Sequence, residues 1–243
     1  MNSRRMPPLF DHALSLVVAL MLIATFALTG CSHKWADANR LAAMLHIKPG
    51  MVVADVGAGS GWMTVMMGGL VGPKGHVLST EIDPRELEKI RSAIAAAHLD
   101  NVTVVQATAG DSGLPADCCD AIILRRVYHH LTDPADTDRS FFRALRPGGQ
   151  LAVLDFRPNV LLWPWMPRGL PPNRDGHGIG PMTVAAELKR AGFEYVSMED
   201  PWPGSSFLSS YCLLFMKAPP DRAQAPHASA PDDTIHGAPA SSP

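Results

Sequence analysis

The sequence predicts an α/β protein built on a parallel sheet, and three observations lead there. From residue 51 to about residue 156, short β-branched runs alternate with segments of helical periodicity, the pattern of strand–helix–strand units with right-handed crossovers. The first run, Met51-Val-Val-Ala-Asp-Val56, passes directly into Gly57-Ala-Gly-Ser-Gly61, a strand feeding a tight turn and then a helix. Asp120-Ala-Ile-Ile-Leu124 is apolar without alternation, as a strand buried on both faces must be. The 243 residues, 47% hydrophobic and 18% charged, suffice for one such domain with a real core and not for two large ones.

Taken in order, Lys34 to His46 carries Trp35, Ala38, Leu41, Ala42 and Leu45 at helical spacing and stops at Pro49-Gly50. After the glycine strand, Trp62 to Leu70 forms a helix whose Met63, Met66 and Met67 read as core filler. Gly72-Pro-Lys-Gly75 turns the chain into a second strand, His76 to Thr80, ending at Glu81-Ile82-Asp83. Pro84 opens a helix to about Ala97 with a charged wet side. Val102 to Gln106 is a third strand, Asp120 to Leu124 a fourth, Pro134 to Leu145 a helix stopped by Arg146-Pro-Gly-Gly149, and Gln150 to Phe156 a fifth strand. Arg157 to Gly180 is rich in proline, tryptophan and glycine and long enough for a lid or binding loop. A helix over Pro181–Ala191 and strands over Phe193–Met198 and Phe207–Met216 complete the domain. Residues 218–243, dominated by Ala, Pro, Ser and Asp, lack the apolar content to fold and are expected to be a disordered tail.

The amino terminus lies outside the fold. Arg4 and Arg5 precede a 15-residue apolar run, Leu14 to Leu28, short of the roughly 20 residues that span a bilayer as a helix and suited to a signal h-region. It ends in Leu28-Thr-Gly-Cys31, which resembles a bacterial lipobox. Residues 1–31 are then a lipoprotein-type signal, with acylation at Cys31; an uncleaved anchor is the alternative, and either tethers the domain to a membrane on the periplasmic side. Cys118, Cys119 and Cys212 form no spaced framework and read as free thiols. A net charge of −2 provides no electrostatic footprint for nucleic acid.

The order of parts over residues 34–217 resembles a class I S-adenosylmethionine-dependent methyltransferase. Four segments carry the resemblance: Asp55-Val-Gly-Ala-Gly-Ser-Gly61; Ser79-Thr-Glu-Ile-Asp83; Gly110-Asp111 with Asp120-Ala-Ile-Ile123; and Leu145-Arg-Pro-Gly-Gly149. It implies a doubly wound, mostly parallel seven-stranded sheet, a Rossmann-like methyltransferase fold in which the last hairpin supplies one antiparallel strand. It also implies S-adenosyl-L-methionine as cofactor, held by Asp55, Gly57, Ala58, Gly59, Gly61, Glu81, Ile82, Asp111 and Arg125. Glu81, ending the strand beside the glycine loop, is placed to accept from the ribose hydroxyls, Asp111 from the adenine amino group, and Asp55 to orient the loop or reach the ammonium through water. A dinucleotide oxidoreductase would also use a glycine turn, but its G-x-G-x-x-G spacing differs from Gly57-x-Gly59-x-Gly61.

Methyl transfer mostly requires donor and nucleophile held in line in a dry pocket. Catalytic candidates therefore come from loops at the carboxyl ends of the strands: Tyr128, His129 and His130 after the fourth, and His177 in the long loop. These residues serve as bases or as walls of the site. No metal is expected. Trp163, Trp165 and Met166 suggest an apolar lid, and so a small-molecule or lipid-like acceptor at the envelope. Because the donor is made in the cytoplasm and the amino terminus predicts export, a second reading is a tethered lipoprotein that keeps the fold as a binding module without turnover.

Overall fold

The computed structural model describes residues 34–219 except 167, 174–175 and 204–208. The expected signal sequence, Cys31 and the expected tail from residue 220 lie outside the described residues. Among those described, no helix is long and apolar enough to cross a membrane.

Helix α1 spans residues 34–44. There follow β1 (Val52–Val56), α2 (Trp62–Val71), β2 (His76–Glu81), α3 (Pro84–Ala96), β3 (Val102–Gln106), β4 (Cys119–Arg125), α4 (Pro134–Ala144), β5 (Leu145–Phe156), α5 (Pro181–Arg190), β6 (Glu194–Glu199) and β7 (Ser210–Met216). They build one seven-stranded sheet in the order β3-β2-β1-β4-β5-β7-β6. All neighbouring pairs are parallel except those of β7, which runs antiparallel to both β5 and β6.

The period of two along each strand divides the apolar residues between two cores. Ala54, Ile122, Leu124, Leu151, Val153, Leu213 and Phe215 face α4 and α5, where they meet Phe141, Ala144, Val184 and Leu188. Val53, Ala121, Ile123, Ala152, Leu154, Cys212 and Leu214 face α1 and α2, meeting Leu41, Leu45, Met63, Met67 and Val71. Layers on both faces explain why the central strands are unbroken apolar runs. They also place Met63 and Met67 in the core, at 2% and 0% exposure. α1 is held by Asp37, whose carboxylate accepts from Arg125 on β4 and from the Trp202 indole.

Several boundaries shift, most of all that of β5. β5 starts at Leu145, five residues before the expected Gln150: Leu145 pairs with Cys119, the register then slips, and Gln150 pairs with Ala121. The slip falls at Pro147-Gly148-Gly149, where a proline without an N–H and a Gly148 φ of +82° interrupt the ladder. The last two strands begin at Glu194 and Ser210, and residues 204–208 before β7 are outside the description. The long loop is tied down rather than free: it contains a 3-10 segment, Val160–Trp165, and closes on itself through an isolated bridge between Asn159 and His177.

Candidate active site

The strand order reverses between β1 and β4, and ligands of open α/β sheets bind in the crevice that opens at the carboxyl ends there. A cavity of about 440 Å³ occupies this position, within the roughly 300–1,000 Å³ of pockets that enclose drug-sized ligands. Its lining comes from the ends of four strands and the loops after them: Val56 and Gly57, Thr80 to Asp83, Ala107 to Ala109 with Ser112, and Arg126, Val127 and His130 to Thr132, with Thr137 and Phe141 from α4.

The three glycines of the turn have different physical jobs. All have positive φ, +65° at Gly57, +53° at Gly59 and +76° at Gly61, a region that favours glycine. A Cβ at Gly57 would lie 2.6 Å from Val127 Cγ2, and one at Gly61 would lie 3.0 Å from the Ile90 main chain. Those two permit close packing of the turn on β4's loop and on α3. Gly59 is different, because a Cβ there would meet nothing within 4 Å. The space beside it is empty, and Gly59 itself is not among the residues that line the cavity.

Glu81 ties the turn to the next strand. Its Oε2 accepts from the Gly59 N–H at 3.0 Å, and its Oε1 from the N–H groups of Ile82 at 2.7 Å and Asp83 at 3.3 Å. A carboxylate has about four acceptor positions, so one remains, and the long Asp83 contact is the weakest to give up. Thr80 beside it is fully buried, lines the cavity, and its Oγ1 has no hydrogen-bond partner. An unpaired buried hydroxyl at a cavity wall costs on the order of 1–3 kcal/mol, a cost that a ligand polar group removes.

Asp55 turns away from the cavity. Its Oδ2 accepts from Thr64 Oγ1 at 2.6 Å, and Thr64 is also within 2.8 Å of Ser79 Oγ, so the carboxylate fastens α2 to β1. Burial outweighs the Thr64 hydrogen bonds and raises its pKa to about 6. Ala58 packs against the end of β2 through its N–H to the Thr80 carbonyl, and Ile82 stands at the cavity edge, 52% exposed.

Two more sequence-derived ligand candidates are placed elsewhere. Asp111 does not line the cavity. Its Oδ1 accepts from Gly113 N–H at 2.8 Å, and its carboxylate pairs with Arg143 at the surface. The Gly113 hydrogen bond, followed by Arg143, lowers its pKa against burial. Arg125 likewise points to the other side of the sheet, pairing with Asp37 and lying 5.1 Å from the Trp62 ring. The cavity receives Arg126 instead, whose φ of +57° reverses the chain at the end of β4. Nothing in the local sequence distinguishes these adjacent arginines; the backbone reversal does.

The histidine cluster also separates on inspection. Tyr128 is fully buried and its hydroxyl donates to Asp138 Oδ2 at 2.7 Å; burial, then Asp138 and Glu187, raise its pKa well above the ordinary value. It is a core residue behind the site. His129, 2% exposed, is fixed by Asp155: Oδ2 accepts from the His129 main chain at 3.1 Å, and Oδ1 from the Phe156 main chain at 2.9 Å and from His129 Nδ1 at 2.8 Å. His130 lines the cavity. Desolvation and the neighbouring His129 and His177 push its pKa down to about 4.

His177 reaches the same place from the long loop. Its main-chain carbonyl accepts from Asn159, and the next bond, Ile179 N–H to Phe156 O, continues the attachment to β5. Gly178, at φ +119°, lets the chain pass the Arg157 carbonyl, which a Cβ would approach to 2.6 Å. The ring centroids of His129 and His177 are 5.1 Å apart, and those of His130 and His177 5.8 Å. Burial and His129 push the His177 pKa down, with the Leu162 main chain and Asp155 pulling the other way. The sequence predicts an apolar lid from Trp163, Trp165 and Met166; the side chains of both tryptophans lie outside the description.

Comparison with known proteins agrees with this geometry. Residues 54–153 match the family model described as a methyltransferase domain, a span that holds the glycine turn, Glu81 and all the residues that line the cavity. The chain is 37% identical over 110 residues to a ubiquinone/menaquinone biosynthesis C-methyltransferase of Vibrio vulnificus, covering 45% of this chain and 42% of that protein. It is 29% identical over 121 residues to a demethylmenaquinone methyltransferase of Listeria monocytogenes, covering 49% and 51%. The matches thus span about half the length of these relatives or less. Among solved structures, a SAM-dependent methyltransferase from Aquifex aeolicus has a TM-score of 0.62 at 21% identity, covering 75% of this chain and 90% of the other. One from Methanosarcina mazei has a TM-score of 0.56 at 14% identity, covering 71% and 94%. At these identities the structural likeness establishes the fold.

Proposed function

We propose that the chain is an S-adenosylmethionine-dependent methyltransferase whose acceptor is an apolar molecule of the cell envelope. The observation that carries the first half is the coincidence of the methyltransferase-domain match with a cavity at the switch point of the sheet. The residues present fit the donor: open space at Gly59, an orphaned Thr80 hydroxyl and a strand-end carboxylate with acceptor capacity to spare. S-adenosylmethionine supplies, when bound, a methyl group on a positively charged sulfur. Glu81 would accept from the ribose hydroxyls, releasing the Asp83 contact if it takes both. The main chain around Gly57 and Gly59 would lie against the amino-acid end, and Ile82 with Ala107 and Ala109 would provide apolar walls for the base. Phe141, Leu131 and Val127 would exclude water, and His130 would bound the acceptor side. The protein's main task is positioning, which alone is worth several kcal/mol of barrier.

The apolar acceptor is inferred from the relatives, one named a ubiquinone/menaquinone biosynthesis C-methyltransferase and one a demethylmenaquinone methyltransferase, together with the apolar composition of the loop at residues 160–166. The envelope location is inferred from the Arg-rich start, apolar run and Leu28-Thr-Gly-Cys31. Calorimetry of the full chain with S-adenosylhomocysteine tests the donor site, and micromolar binding is the expected result. Absence of heat with folded protein would remove the enzyme reading. Fractionation of cells carrying Cys31→Ala tests the tether, with loss from the membrane fraction expected.

A further inference from the structure

We propose that His129, His130 and His177 form a binding site for a divalent transition-metal ion, with zinc the best match to the ligand chemistry. One ring nitrogen from each of the three lies within 4.8 Å of those of the other two. Zinc bonds of about 2.1 Å at tetrahedral angles put ligand nitrogens about 3.4 Å apart, so the cluster needs to close by little more than an ångström. That closure is available to His130, which is exposed, and to His177 on its loop.

Two observations distinguish this cluster from chance proximity. The first is the support behind His129. Asp155 accepts two main-chain hydrogen bonds, from His129 and Phe156, besides the one from the ring. It is thus held as an acceptor, which assigns the His129 proton to Nδ1 and leaves the Nε2 lone pair for a ligand. A carboxylate behind a ligating histidine is the usual means of orienting the ring and raising its basicity. The second is His177, whose Nδ1 and Nε2 are both shielded from solvent and meet no partner at good hydrogen-bond geometry, the Leu162 main chain only lying nearby. Buried polar atoms are ordinarily paired, and a metal ion supplies the missing partner. Gly176 and Gly178, at φ +133° and +119°, bend the loop so that this ring meets the other two.

Three imidazoles without thiolate or carboxylate in contact suit zinc and its neighbours rather than magnesium or calcium. Three protein ligands also leave a fourth position for water or substrate. His130 belongs both to the trio and to the cavity wall. The ion would therefore stand beside the proposed donor site; that role, unlike the metal binding itself, rests on the methyltransferase reading.

The test is zinc titration of the chelator-stripped full chain, followed by calorimetry and elemental analysis. One zinc per chain is expected. His177→Ala and His130→Ala should each weaken it at least tenfold, and Asp155→Asn by about 10–100-fold. A cooperative urea melt of the zinc-free His177→Ala variant shows that it is folded. The site is refuted if the wild-type chain retains no zinc, or if both histidine variants bind it as the wild type does. Zinc binding without any adenosyl-ligand binding would leave the metal site standing and remove the methyltransferase reading instead.

Discussion

The Gly59 N–H and the Glu81 carboxylate, joined at 3.0 Å, connect the glycine turn after β1 to the end of β2. One acid thereby shapes the loop and presents its remaining acceptor capacity to the cavity that the loop borders. Glu81→Ala should weaken S-adenosylhomocysteine binding by on the order of 2 kcal/mol, about thirtyfold, since a charge-assisted contact and the loop's anchor are lost together. Glu81→Gln should fall between the two. Calorimetry decides it; an unchanged affinity in Glu81→Ala would reject the ribose assignment.

The turn glycines should respond differently to a methyl group. Gly57→Ala collides with Val127 at 2.6 Å and should cost about 2–4 kcal/mol of stability, from strain at positive φ plus overpacking. Gly59→Ala meets no protein atom and should cost only about 1–2 kcal/mol, yet it should abolish donor binding by filling ligand space. Denaturant melts and calorimetry of the two variants separate these effects. Equal stability losses would contradict the packing described.

Asp55 makes stability depend on pH. Its folded pKa is raised to about 6 from 3.8, so between those values the folded state binds more protons than the unfolded one. Its contribution therefore becomes less favourable as pH rises from about 4 to 6. Relative to Asp55→Asn, the wild type should gain on the order of 2–3 kcal/mol on going from pH 7 to pH 4. Urea melts of both proteins across this range check the sign. A difference that stays flat would mean the carboxylate is not desolvated.

Tyr128→Phe removes a buried hydroxyl that donates to Asp138 and should cost about 1–3 kcal/mol of stability. Donor affinity should change less than twofold, because the ring faces the core. A large loss of binding with stability intact would return Tyr128 to the active site.

Much of the architecture was legible because it is local. The strand–glycine–helix unit, the strand-end Glu81 and the two-sided burial of β4 are properties of consecutive residues, and period and turn chemistry report them directly. The site was legible only in part. Asp111 stands where the resemblance implies, yet Arg143 and Gly113 hold its carboxylate at the surface. Of the adjacent Arg125 and Arg126, a left-handed residue sends the second to the cavity. Thr80 gave no signal, since a threonine in a strand is ordinary until its hydroxyl is found buried and unpaired.

By itself, the sequence determined which segments become strands and helices and that glycines and an acid meet at the head of β1 and β2, since backbone sterics and hydrophobic periodicity act over a few residues. Only the tertiary structure decided which side chains share the cavity. Side-chain direction at strand ends and the docking of a distant loop depend on contacts between segments far apart in the chain. His177 shows this most clearly: a bridge to Asn159 and a glycine on either side bring it to His129 and His130, and no spacing in the sequence encodes that meeting.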